Sequence, residues 1–187
     1  LVAAERVFER HGMVVFDVEE LPTHGGSLRY FVRHAADQSK PIEPRVAALR
    51  ARERALGVET LAYYRDFTAK VEETKRSLLT FLIEARRAGA RVVGYGAPGK
   101  GNTLLNYCGI RTDLLEYTVD RSPHKQGMFL PGTHIPIHHP DRIREDKPDY
   151  VLFLPWNLKD ELVSQLAYVQ EWGGKFVVPI PETAVLP

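Results

Sequence analysis

The chain is poor in sulfur: Cys108 is the one cysteine in 187 residues, and there are two methionines. A single cysteine excludes an internal disulfide framework and a zinc site built from cysteines. Surplus charge of either sign is also missing. Lys and Arg number 25 against 24 Asp and Glu, a net charge of +1, which argues against broad nucleic-acid binding because that needs a basic face. No apolar run approaches the ~20 residues of a membrane span, and no signal-peptide pattern is visible. These absences fit a cytoplasmic globular protein. The chain opens LVAAERVFERHG, without an initiator Met and already in helical pattern, so we expect the C-terminal piece of something longer.

What is present is ordinary in amount, 44% hydrophobic and 26% charged. That suffices for one main domain plus an appendage. The most informative stretch is residues 91–107, RVVGYGAPGKGNTLLNY. A short apolar run, Val92 and Val93, leads into a glycine-rich turn and then into a plausible helix opening. Strand, glycine turn and helix together offer bare backbone N–H groups to a phosphate. Gly94, Gly96 and Gly99 fit the spacing G-x-G-x-x-G. By that fingerprint Gly94 would permit the tight turn, Gly96 would let a pyrophosphate approach, and Gly99 would let helix and strand pack closely. Pro98 sits inside the turn, Lys100 adds a cation, and Gly101 adds a further bare amide.

Residues 1–34 read as helix, strand (13–18), Gly-rich turn and strand (27–34). This unit is too small to stand alone and reads as the closing edge of a preceding domain's sheet. His24 lies in its turn, where a side chain can face a ligand or simply water. Residues 35–44 are polar with two prolines and read as a linker. Residues 45–56 form one amphipathic helix. Residues 59–88 form a long second one, a brace between domains or a dimer face if it is not simply packed on its own sheet. From residue 90 onward the chain alternates: strand 91–95, helix 100–108, strand 114–120, a loop-rich stretch to 139, a short helix after Pro140, strand 150–154, helix 158–172 and strand 175–180. Strands alternating with helices mean a parallel sheet covered on both faces. The fold class is therefore α/β, Rossmann-like, preceded by a helical pair and a β-hairpin. The expected domains are 1–37, 38–88 and 89–187.

Ligands of such sheets bind beyond the carboxyl ends of the strands. That rule selects the Gly loop, Asp120 with Ser122, and Trp156 with Asn157. Asp120 stands ~20 residues after the loop, where a dinucleotide fold places the acid that grips a ribose hydroxyl. The pattern alone thus suggests a nicotinamide dinucleotide. The stretch after Asp120 is too rich in proline and glycine for the usual crossover helix, and reads as a shaped loop on which His124 and Lys125 would meet a phosphate or water. His134, His138 and His139 lie on a Pro-rich loop with no cysteine or acidic cluster beside them, so no metal is expected. Cys108 reads as buried and inert.

Four runs then carry a resemblance: GYGAPGKGNTLLNYCGI (94–110), YTVDRSPHKQGMFLPGTHIPI (117–137), PDYVLFLPWNLKDEL (148–162) and WGGKFVVPIP (172–181), with FDVEELPTHGGSLRYFVRH (16–34) ahead of them. In this order they resemble the C-terminal domain of S-adenosylmethionine-dependent C-methyltransferases acting on nucleotide-linked deoxysugars. The resemblance implies a protein of three parts: a zinc-binding N-terminal lobe, a central domain that binds S-adenosylmethionine, and a C-terminal Rossmann-like domain that helps hold the nucleotide sugar. It also implies a reaction in which a base removes the C3 proton of a TDP-linked 4-keto-deoxysugar and the enolate takes the methyl group. The base is a histidine in Tyr-x-Glu-His, a motif that occurs nowhere in this chain. The cofactor and zinc sites would lie upstream, and the fragment would not methylate alone.

Within that resemblance, Gly96, Pro98, Gly99, Gly101 and Asn102 would surround the pyrophosphate, with Lys100 and Lys125 neutralising it. Asn106 would read a sugar or base edge. Asp120 and Ser122 would bond sugar hydroxyls. Trp156 would stack on base or sugar. Asn157 would join them or merely cap the next helix. His24 would face the sugar from the other side. Two other classes stay open: a nucleotide- or NAD-sensing module without catalysis, and a structural dimerisation domain whose interface is the 59–88 helix.

Overall fold

The structure, a computed structural model, describes residues 1–186. It divides into two compact units, Leu1–Thr68 and Ala69–Pro187.

The first unit contains α1 (Val2–Arg10), β1 (Met13–Leu21), β2 (Ser27–His34), α2 (Pro44–Leu56) and α3 (Leu61–Arg65). The two strands form an antiparallel hairpin with a bulge between Val15 and Asp17. The bulge decides the core. In an unbroken strand Val15 and Val18 would face opposite sides, but the extra residue resets the alternation. Both therefore pack with Val46 and Leu49 of α2. Pro44 supplies a preset φ at the start of α2, and Gly57 ends it in the left-handed region at φ 77°. Arg45 donates to both carboxylate oxygens of the buried Asp17, at 2.5 and 2.6 Å. That bidentate pair ties α2 to β1, and it holds the Asp17 carboxyl below its ordinary range.

The second unit holds α4 (Phe67–Arg87, whose first two residues precede the division), β3 (Val92–Tyr95), α5 (Gly99–Cys108), β4 (Thr118–Val119), β5 (Ile137–His138), α6 (Arg142–Asp146), β6 (Tyr150–Phe153), α7 (Lys159–Gln165), β7 (Lys175–Val178) and β8 (Ala184–Leu186). The sheet order is β5-β4-β3-β6-β7-β8. Its first five strands are parallel and β8 is antiparallel. The strand alternation feeds two cores. Val92, Leu152 and Leu154 meet Leu78 and Leu82 of α4 and Leu104 and Leu105 of α5 on one face. Val93, Tyr95, Val151 and Phe153 meet Ile143 of α6 and Leu162 of α7 on the other. A sheet buried on both sides explains why YVLF and KFVV are unbroken apolar runs. The fold is α/β with a parallel sheet flanked by helices, as expected. Among the described residues, no helix is long and apolar enough to cross a membrane.

Several expected elements are cut differently. The long helix over 59–88 is two helices, α3 and α4, parted at Asp66. Every residue of 61–70 is exposed, so no packing holds that turn in line. The strand expected over 114–120 is two residues long, because the amides of Leu114 and Leu115 both bond back to the Arg111 carbonyl and close a turn. The helix expected over 158–172 breaks at Leu166, and residues 167–172 wind as a 3-10 helix whose end is fixed by the Gly174 amide donating to the Val169 carbonyl. β5 and β8 have no counterpart among the expected strands.

Candidate functional site

The site lies at the carboxyl end of β3. Gly96 takes φ 87°, a backbone state that suits glycine, and a Cβ there would stand 2.7 Å from Cδ of Pro155. Gly94 lies inside β3, where a Cβ would stand 2.7 Å from Thr118 Oγ1. That hydroxyl donates to the Gly96 carbonyl at 2.7 Å. Gly101 abuts the next strand's end, its would-be Cβ 2.7 Å from Cβ of Leu154. Gly99 has open space around it. The glycine roles are thus shifted from those of the fingerprint. Gly96 makes the turn, Gly94 admits the neighbouring strand, and Gly101, not Gly99, allows helix and strand to approach.

Pro98 is the N-cap of α5, and the first amide of the helix to find a carbonyl is that of Asn102, which donates to Pro98 at 3.0 Å. The amides of Gly99, Lys100 and Gly101 therefore carry the positive end of the helix without acceptors of their own. Lys100 has no carboxylate within ion-pair distance among the described residues. Its ammonium lies 4.5 Å from the centroid of the half-buried Trp156 ring and donates to the side-chain oxygen of Asn157. Burial lowers its pKa from the ordinary lysine value. A partly buried cation whose neighbours are a π face and a neutral amide is free to take an anion.

Asp120 fastens the loop. Its carboxylate accepts from the Ala97 amide at 2.7 Å, the Ser122 amide at 2.8 Å and the Lys125 ammonium at 3.1 Å. Burial works against its charge, but these donors outweigh burial and hold the carboxyl below its ordinary range. Lys125 also donates to the Ala97 carbonyl at 3.1 Å. Asn106 is engaged too, its amide nitrogen donating to the carbonyls of Asn102 and Pro131 at 2.9 and 3.0 Å. It clamps α5 to the loop after β4. Asn157 does not cap α7, whose N-cap is Leu158.

Between the Gly loop and that second loop lies a recess of about 290 Å³. Pro98 and Asn102 line it from the Gly loop and α5, and Lys125, Met128 and Phe129 from the loop after β4. Asn102 Oδ1 is buried and has no hydrogen-bond partner among the described residues. Met128 and Phe129 are each 60% exposed, unusual for large apolar residues. They are members of the site that sequence reasoning overlooked; two bulky apolar residues in a polar loop were the available signal. The backbone of Ala97 and the hydroxyl of Thr118 left no such signal.

Other expected positions fall elsewhere. His24 sits in an exposed turn at φ 58°. His138 meets Tyr117 edge to face and His139 pairs with Asp141, and among the described residues no group of three His, Cys, Asp or Glu side chains could hold a metal. Cys108 is buried in the core, which pushes its thiol pKa up.

Residues 22–181 match a family described as the C-methyltransferase C-terminal domain. The chain belongs to this family. Among curated proteins, C-methyltransferase NovU of Streptomyces niveus is 37% identical over 180 residues, which is 96% of this chain and 43% of that protein. The chain therefore spans less than half of that relative's length. A solved structure, UDP-D-quinovosamine 4-dehydrogenase from Vibrio fischeri, aligns with 52% of this chain and 93% of that one at 18% identity, with a TM-score of 0.39, a likeness too slight to bear on function.

Proposed function

We propose that this chain is the substrate-holding part of an S-adenosylmethionine-dependent C-methyltransferase that acts in the cytoplasm on a TDP-linked 4-keto-deoxysugar. The observation that carries the reading is Lys100. It is a partly desolvated ammonium without a carboxylate partner among the described residues, beside the free amides of the first turn of α5. Diphosphate is the anion such a corner favours. The adjoining recess, with the unpartnered oxygen of Asn102 and the apolar faces of Met128 and Phe129, accepts the sugar or base attached to it. Trp156 supports the reading by holding Lys100 in place.

Methyl transfer itself belongs to other parts of the protein. S-adenosylmethionine would bind a central domain upstream, zinc an N-terminal lobe, and the base that removes the C3 proton would come from the central domain. The present residues would bind and orient the diphosphate, fix the sugar, and shield that end from water. Asp120, Ser122, Lys125 and Asn106 serve as positioning residues that hold the two loops.

Calorimetric titration with TDP, and with NAD for comparison, tests this. TDP should release heat that Lys100→Ala abolishes or weakens by about tenfold or more, the scale of one charged hydrogen bond, while Tm stays unchanged. NAD heat in place of TDP heat would overturn the reading in favour of a dinucleotide module.

A further inference from the structure

The carboxyl edge of the sheet has a second recess on the opposite face, where α6 and α7 pack. Its volume is about 360 Å³. Neighbours in sequence part company here. Gly96 turns toward the Gly loop while Tyr95 belongs to the other face; Asp120 ties the Gly loop while Arg121 lines the second recess. Arg144 of α6 and Tyr168 of the 3-10 helix complete its polar wall.

Three observations set this recess apart from an ordinary surface dip. Neither Arg121 nor Arg144 has a carboxylate within ion-pair distance among the described residues. Arg144 sits over the Tyr168 ring, its guanidinium carbon 3.4 Å from the ring centroid, a contact with the π face that spends none of its N–H donors on a carboxylate. Tyr95 is only 6% exposed, yet its hydroxyl keeps access to solvent at the recess that it lines and has no hydrogen-bond partner among the described residues. The acids in reach are Asp141, which pairs with His139 across the rim, and the more distant Asp120 and Glu161; burial first, then the fields of these last two, push the Tyr95 pKa up against the opposing charge of Arg121. The Tyr95 hydroxyl thus stays a neutral donor.

We infer that this recess is a second anion site, built for the phosphate monoester of a small polyol. Arg121, Arg144 and the Tyr95 hydroxyl would take the phosphate, and Asp141 would accept from a neighbouring hydroxyl. Two guanidinium groups and a phenol suit a dianion with three free oxygens better than a carboxylate with two. The site stands independently of the Gly loop and of the function proposed for it.

The test is calorimetric titration of the 187-residue chain with glycerol 3-phosphate, with lactate as the carboxylate probe, alongside two-dimensional NMR of the tyrosine rings. Glycerol 3-phosphate should bind more tightly than lactate and shift the Tyr95 and Tyr168 ring signals. Arg144→Gln and Tyr95→Phe should each weaken it, the first by about tenfold or more, and Lys100→Gln should leave it unchanged. Absence of saturable binding overturns the inference. So does tighter binding of lactate, or loss of binding in Lys100→Gln with retention in Arg144→Gln, which would put the phosphate on the Gly loop. The conservative Tyr95→Phe keeps the buried ring, so a folding defect in an arginine variant does not decide the outcome.

Discussion

Two glycine-rich turns invite the same suspicion in this sequence, and they have become different things. The turn at 22–26, PTHGG, joins the hairpin strands; the turn at 94–101, GYGAPGKG, joins β3 to α5. Each contains a titratable residue, His24 or Lys100. In the first, every residue is exposed, Gly26 has nothing near its would-be Cβ, and His24 occupies the left-handed region. In the second, Gly94, Gly96 and Gly101 each have a neighbour 2.7 Å from the place of a Cβ, and Lys100 is partly desolvated. Glycine in the first turn relieves the backbone; in the second it makes room for other elements. Only the second kind of turn ends with free helix amides, a cation without a carboxylate partner and a recess beside its first helical turn.

The comparison breaks most sharply at Gly96. Gly96→Val adds bulk against Pro155 at a positive φ, and a loss of about 3 kcal/mol or more is expected in denaturant unfolding. Equal loss from Gly26→Val would erase the distinction between the two turns. Next comes Asp120. Asp120→Ala leaves the Ala97 and Ser122 amides without their acceptor and should cost about 2 kcal/mol. Its folded pKa lies below the unfolded value of ~3.9. Its contribution is therefore complete above that value and is lost as pH falls through the lower, folded one. Wild type should lose stability over that acid window relative to neutral pH, and Asp120→Ala should lose less; parallel curves would contradict the clamp. Gly99→Ala should alter stability by less than about 0.5 kcal/mol, since space is open there and alanine is a good helix residue. The smallest effect belongs to His24→Asn, within about 0.5 kcal/mol, since Asn tolerates the left-handed state.

Much of this was legible. The alternation of strands and helices from residue 90 onward marked a parallel sheet, and the apolar runs YVLF and KFVV marked its centre. The Gly loop, Lys100 and the acid ending the next strand were all visible as a group. What each does was not. Asp120 and Asn106 look like ligand readers by position but spend their hydrogen bonds on the loop. The spacing G-x-G-x-x-G could not show that Gly101 carries the close approach, because the identity of its neighbour, Leu154, is set by a strand fifty residues away. Helix breaks at Asp66 and Leu166 were likewise hidden, since both lie inside sequences of good helical period.

By itself, then, the sequence determined the α/β class, the buried strands and the membership of a C-methyltransferase C-terminal family, because these rest on local periodicity and on motifs in order. Tertiary structure alone decided the bulge that brings Val15 and Val18 to one face, and the opposite fates of Tyr95 and Gly96. It also decided which polar groups are spent and which are free. Hydrogen bonds and desolvation depend on what stands across the fold, and a linear order of residues does not record it.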